Sequence, residues 1–414
     1  MRFYEMDINL EVFNLETDFF GDMHCSSRFT DMLCDAQAQY GDYSVLDECP
    51  MWGMWENEGR DNSVGGTAGH SKTKIEVKHN MHKRFIFPVG QGGFSIEKID
   101  GFVVVYDCGS VSSQNAVEQS IDKIQQDTDH VDVLFISHFD KDHVNSIQYL
   151  LSHVKVLKAV TSFIPSVLRT AYSVYTDSAY DEIMRLFDSN NVEVDPIGED
   201  EIDRKRYFHR DVWEWIAKSM MTTADFSAVT TNLQRSGVVL ETLKIDPDYL
   251  ESQKEKINEA FKDVFGPKGP NAKGLIVLSQ KCRGIETKLC LIYQGCEWCR
   301  KVLSRIASNV SSCLYVGDAD LKNRANKKEV KEFLKNYRSE SSLLMMQIPH
   351  HGSQYNVGAR FETDFAAKYY FVNDITTKRI QGNQRLYNSL ISQKNLLVVR
   401  EYCKNLVVTM TEIK

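Results

Sequence analysis

The sequence predicts an α/β fold of four layers, with two β-sheets face to face, helices on their outer sides and a helical insertion. Three observations predict it. Short apolar runs of strand length fall into two groups, within 84–164 and 274–413. Stretches of helical spacing punctuate each group. A segment longer than a simple crossover, 165–270, separates them.

RFIFPV (84–89), FSIEKI (94–99) and FVVVYDC (102–108) are strand candidates, the first pair joined by GQGG and the second by AspGly, both turn chemistry. Val117, Ile121 and Ile124 then recur at helical spacing, and VDVLFIS (131–137) follows as a continuous apolar strand. Strand, helix, strand implies a parallel pair, and such sheets keep their chemistry at the carboxyl ends of their strands. Val144, Ile147, Leu150, Leu151 and Val154 predict a core-facing helix, and VLKAVTSFI (156–164) another strand. The 165–270 segment reads as mostly helical. Its clearest helix, YLESQKEKINEAFKDVFGP, has Leu250, Ile257, Phe261, Val264 and Phe265 on one face, with Gly266 as C-cap and Pro267 blocking continuation.

Strands resume at GLIVLS (274–279), KLCLIYQG (288–295) and SCLYVGD (312–318). In NKKEVKEFLKNYR, Asn326 with Glu329 resembles a capping box ahead of the stripe Val330, Phe333, Leu334 and Tyr337. SLLMMQIP (342–349), KYYFV (368–372), NLLVVRE (395–401) and NLVVTMTEI (405–413) complete the strands. Residues 1–73 are polar, show no sustained period and end in a Gly- and Ser-rich connector, so they read as an extension.

With 42% apolar and 26% charged residues, neither disorder nor a fibrous class is indicated. No window approaches the length of a membrane span and the first residues lack a secretion signal, so a cytoplasmic protein is expected. The net charge of −8 argues against a surface built throughout to hold nucleic acid, though it leaves room for a local basic groove. The 10 cysteines are irregularly spaced and read as reduced thiols. Cys282, Cys290, Cys296 and Cys299 could hold a structural zinc, but their spacing departs from a paired CxxC pattern.

The chemistry concentrates in ISHFDKDHV (136–144). His138, Asp140, Asp142 and His143 follow a buried strand directly, and imidazole with carboxylate is the donor set of a hydrolytic zinc, manganese or iron site. A turn with helix-capping aspartates is the competing reading. Asp318, in VGDAD, and His350 and His351, in IPHHGS, stand at two further strand ends, and Asp107 closes another. A carboxylate such as Asp318 can bridge two ions, and one of His350 and His351 can complete the second position.

HxDxDH followed by GDAD and PHHGS, with VGQG and YDCG upstream, resembles the metallo-β-lactamase fold, and within it the branch typified by the soluble hydrolase domain of the ComEC competence protein. The resemblance spans residues 84–414, with 165–270 and 282–311 as insertions into a domain of 74–414. It implies a four-layer αββα sandwich. It also implies that His138 and Asp140 hold a first metal, Asp142 and His143 a second, that Asp318 bridges them, and that Asp107 orients the groups around them. Gly93 stands where that family has an aspartate after GQG, and no strand-end histidine lies between 144 and 311.

The expected chemistry is hydrolysis with one or two divalent ions, zinc or manganese. Bound water whose pKa falls towards ~7 supplies hydroxide, and Asp142 or Asp140 could take its proton. Lys141, Lys322 and Arg324 lie near the motifs and favour a phosphodiester, in nucleic acid or a nucleotide. Lys327 and Lys328 extend the same cationic run. Two other readings stay open: hydrolysis of a small ester, thioester or lactone, and a catalytically weak or inactive module of a multi-protein system, such as a defence system, binding a protein partner through 1–73 or 165–270.

Overall fold

The computed structural model describes residues 81–176, 179–199, 203–296, 299–306, 310–373, 377–399 and 405–413. The 1–73 extension lies outside them. The described residues build two mixed sheets. The nine-stranded sheet runs, edge to edge, β11 (Cys299–Ile306), β10 (Glu286–Cys296), β16 (Asn405–Ile413), β1 (Met81–Ile86), β2 (Gly92–Ile99), β3 (Phe102–Ser110), β4 (His130–Phe135), β5 (Lys155–Ser162) and β6 (Glu193–Ile197). The seven-stranded sheet runs β15 (Leu396–Val399), β14 (Ala367–Asn373), β13 (Leu343–Gln347), β12 (Cys313–Tyr315), β9 (Leu275–Lys281), β8 (Trp213–Ser219) and β7 (Arg204–His209).

Separate apolar clusters define the layers. Alternate side chains of a strand face opposite ways, so a strand apolar on both faces must be covered on both. Val104 and Tyr106 of β3 meet Trp215, Val277 and Tyr315 between the sheets, while Val103 and Val105 turn outward onto Val117, Ile121 and Ile124 of the helix Gln114–Asp127. On the second sheet Ile276 and Leu278 face outward onto Val330, Phe333 and Leu334 of the helix Arg324–Tyr337. The order is therefore helix, sheet, sheet, helix. β3 to β6 are mutually parallel, as are β12 to β15, so in both sheets the carboxyl ends line up along one edge.

Several expectations change. The 165–270 stretch is not mostly helical: β6, β7 and β8 lie within it, and β7 and β8 extend the seven-stranded sheet. Tyr207 and Trp215 in these strands are aromatic, which favours strands, but charged neighbours in RKRYFH hid the pattern. The long helix predicted there breaks at Gln253 into Pro247–Ser252 and Lys254–Phe265, and ends at Gly266 with φ 76°, as a glycine C-cap should. The helix after Asp318 is capped by Asn323, whose side chain accepts from the amides of Ala325 and Asn326. Asn326 instead turns its amide into the core, onto the Ala272 carbonyl. The helix Gln384–Ser392, unforeseen, buries Leu386, Tyr387 and Leu390.

Between the sheets lies a buried ionic cluster. Glu97, on β2, accepts hydrogen bonds from Arg84 Nε at 2.6 Å, Tyr315 Oη at 2.8 Å, Trp215 Nε1 at 2.8 Å, His82 Nε2 at 3.0 Å and the Ser279 hydroxyl. Burial alone would raise its carboxyl, but Arg84 and His82 hold it below its ordinary value. Three strands of the second sheet thereby grip one residue of the first. Glu97→Gln leaves Arg84 buried and uncompensated, and should destabilise the fold by about 3–5 kcal/mol, read as a lower urea midpoint. A midpoint within error of wild type would contradict this role.

Candidate metal centre

The chemistry sits where the parallel strands end. Asp107 lies near the end of β3, His138 to His143 follow β4, Asp318 follows β12, and His350 and His351 follow β13. Short links tie these ends together. The Gln347 side-chain carbonyl accepts from the amides of Val316 and Gly317 at 2.9 and 3.0 Å, His350 N donates to the Gly317 carbonyl at 3.1 Å, and Asn356 donates to the Asp318 carbonyl at 2.7 Å. Asp107, His350 and His351 adopt left-handed backbone, with φ of 54°, 49° and 48°. For residues other than glycine this costs about 1–2 kcal/mol each, so it persists only where neighbours enforce it. Arg379 and Tyr387 do so at the double-histidine turn, donating to the carbonyls of His351 and Gly352.

Asp318 stands between two groups of donors. Its Oδ1 is 3.4 Å from His143 Nε2, and its Oδ2 is 3.9 Å from His138 Nε2 and 3.6 Å from His350 Nε2. His138 Nε2 is 3.6 Å from Asp140 Oδ2. Asp142 Oδ2 is 3.4 Å from His351 Nε2 and 3.7 Å from His143 Nε2. Three sets, His138 with His143 and Asp318, Asp142 with His143 and His351, and His138 with Asp140 and Asp142, each bring their donor atoms within 4.8 Å of one another.

Hydrogen-bond logic fixes which imidazole nitrogens face inward. His143 Nδ1 lies 2.7 Å from Asp107 Oδ2, an acceptor, so it carries the proton. The Ser137 hydroxyl donates to the same Asp107 oxygen at 2.8 Å and accepts from His138 Nδ1 at 2.9 Å. His351 Nδ1 donates to the Asn373 carbonyl at 3.1 Å. All three Nε2 lone pairs are thus turned to the centre, the arrangement metal-binding histidines need. Those of His138 and His143 are buried without a hydrogen-bond partner. Orphaned acceptors of this kind, grouped with carboxylates, fit a divalent cation.

The carboxylates also set the charge balance of the pocket. Burial opposes ionisation of Asp142 and Asp318, yet His143 above all holds both below the ordinary carboxylate value. Burial likewise opposes protonation of His143, yet Asp107 and Asp142 hold it well above the ordinary imidazole value. A divalent cation held there would take the place of the His143 proton among these carboxylates.

Asp140 occupies the N-cap position of the short helix Lys141–Val144 but makes no side-chain cap bond, so the capping reading fails for it. The chain then turns at Asn145 and Ser146, breaking the continuous helix expected there. His351 is buried and His350 half-exposed, and they face different partners, so they are not interchangeable. His153 bonds its own helix and His209 packs on Phe102, so neither joins the centre. Lys322 reaches the Gln354 carbonyl at 3.2 Å, on the loop that follows the two histidines, whereas Lys327 is tied to Asp364 and Lys328 to Glu332. Arg324 and Lys141 are exposed. The side chains of Cys290, Cys296 and Cys299 lie outside the described ones.

Gly93 is explained by packing. A Cβ there would sit 2.9 Å from Asp107 Oδ2 and 2.9 Å from His143 Nδ1. Asp107 and its histidine already fill the space. The sequence reading missed Ser137, Asn373 and Asn271. Asn271, in the turn Pro270–Lys273, donates from Nδ2 to Asp140 Oδ2 at 2.7 Å, and the PNAK turn gave no periodic signal.

Residues 95–211 match the Metallo-beta-lactamase superfamily. The chain carries a metallo-β-lactamase superfamily domain. Its two sheets with outer helices form the metallo-β-lactamase fold. No curated protein matches the chain. Among solved structures it is similar to the metallo-beta-lactamase fold protein YhfI from Bacillus subtilis, at 8% identity over 79% of this chain and 98% of that one, TM-score 0.40. It is similar also to the short form of human tRNase Z, at 9% identity over 72% of this chain and 94% of that one, TM-score 0.35. The chemotaxis sensor ODP shares 18% identity over 34% of this chain, TM-score 0.24, and the chain covers 52% of that sensor, about half its length.

In this metallo-β-lactamase domain Asp107→Asn keeps a residue tolerant of left-handed backbone but removes the charge that orients His143. Zinc affinity, measured by competition with a chromogenic chelator, should fall about 10- to 100-fold. An unchanged affinity would show that Asp107 does not act through His143.

Proposed function

We propose that the chain is a metal-dependent phosphodiesterase, acting on nucleic acid or a nucleotide. The observation that carries the reading is Asp318 placed between two donor groups, one oxygen towards His143 and the other towards His138. In this reading His138 and Asp140 form a first metal position, Asp142, His143 and His351 a second, and Asp318 joins them. Two divalent ions held there, zinc or manganese, would supply Lewis acidity for a phosphoryl oxygen and make a nearby water more acidic. The motif order that resembles the ComEC hydrolase domain supports the same chemistry.

The chain's own groups divide the remaining work. Asp140 keeps Oδ1 without a hydrogen-bond partner, so it has a lone pair left to take a proton from attacking water. Lys322 stands at the rim beside Gln354, where its ammonium can meet a phosphate. Lys268 is less available, being paired with Asp320 at 2.6 Å.

Bis-p-nitrophenyl phosphate tests the reading. Hydrolysis in the presence of manganese or zinc should fall at least about 10³-fold in His143→Ala, and Lys322→Ala should raise KM with little change in kcat. Cleavage of carboxylic esters or lactones with no turnover of any phosphodiester would reject the proposal in favour of the small-ester reading.

A further inference from the structure

The two donor groups are unequal. The second has two imidazoles, His143 and His351, whereas the first has His138 beside Asp140, with the half-exposed His350 facing Asp318 Oδ2 at 3.6 Å but belonging to none of the three donor sets. Asn271 lies against that poorer side. Its Nδ2 donates to Asp140 Oδ2 at 2.7 Å, the same oxygen that faces His138 Nε2 at 3.6 Å. The reverse amide orientation would set two oxygens against each other, so the donor assignment is chemically fixed. The other amide atom, Oδ1, is buried and accepts nothing, and His138 Nε2 is buried and unpartnered as well. An amide oxygen and an imidazole lone pair, both buried without a donor and both beside the Asp140 carboxylate, call for a cation.

The turn that carries Asn271 is held firmly. The Ala272 carbonyl accepts from the amide of Asp320 at 3.0 Å and from Asn326 Nδ2 at 3.1 Å, and Leu275 N donates to the Ser137 carbonyl at 2.7 Å. Pro270 opens the turn, and Gly274 lies so close to the Ser137 carbonyl that a Cβ there would approach it to 2.6 Å. Asn271 is therefore anchored to the Asp318 loop on one side and to the His138 strand end on the other.

We infer that Asn271 completes the first metal position, its amide nitrogen fixing Asp140 and its amide oxygen serving as a donor, so that this position is oxygen-rich and accepts manganese more readily than the two-imidazole position opposite. A donor set of one imidazole with carboxylate and amide oxygens is harder than the two-imidazole set opposite, and manganese favours such oxygen ligands. The inference rests on the two-metal reading above, yet it can fail while that reading stands.

Titration of the full chain with manganese, followed by calorimetry and by the electron paramagnetic resonance of the free ion, counts the equivalents bound. Wild type should take two. Asn271→Leu should retain one equivalent and bind the other at least about ten-fold more weakly. Asn271→Asp, which keeps an oxygen donor but loses the N–H that fixes Asp140, should weaken that equivalent less than Asn271→Leu does. Tyr172→Phe, which removes a buried hydroxyl that feels the Asp140 charge, should change neither equivalent. Two unchanged equivalents in Asn271→Leu would overturn the inference, as would equal losses in Asn271→Asp and Asn271→Leu, or an equal loss in Tyr172→Phe. Wild type binding no manganese and no zinc would instead overturn the two-metal reading itself.

Discussion

The centre depends on one buried contact, that of Asp107 with Ser137 and His143. Asp107 Oδ1 accepts the Ser137 amide at 2.7 Å, and Oδ2 accepts both the Ser137 hydroxyl and His143 Nδ1. Through the Ser137 hydroxyl the same carboxylate also sets His138. One side chain at the end of β3 thus aims two imidazoles that follow β4. The contact explains the surrounding glycines: Gly93 leaves room for the carboxylate, and Gly317, at φ 51°, lets the Asp318 loop close onto Ser137.

The architecture is what makes this contact affordable. Parallel neighbours β3 and β4 end side by side, as do β12 and β13, and the pairing of the two sheets brings both sets of ends to one edge. The sheets are held in register partly by apolar packing and partly by Glu97, which reaches from β2 to Trp215, Ser279 and Tyr315 on the opposite sheet. A buried carboxylate with several donors is directional where apolar contacts are not, so it can fix how the sheets slide relative to one another.

Much of this was legible in the sequence. Strands such as FVVVYDC and VDVLFIS carry continuous apolar runs, and a buried parallel strand has to read that way. Asp107, His138, Asp318 and His351 were visible because a polar residue directly after such a run marks a strand end. Asn271 was not visible, since it enters from a short turn with no period, and a lone asparagine before a strand has too many ordinary explanations. β7 was hidden because its residues alternate between exposed and partly buried at the sheet edge, and its charges resembled a solvated helix face. The roles of His350 and His351 could not be separated by sequence because adjacent residues differ only in direction, which the left-handed turn decides.

Metal content measured by plasma mass spectrometry, on wild type and on Asp142→Ala with His143→Ala, tests the central claim most directly. The account predicts two equivalents of transition metal in wild type supplied with it and at most one in the double variant. Wild-type protein that binds no zinc or manganese when either is supplied would contradict it.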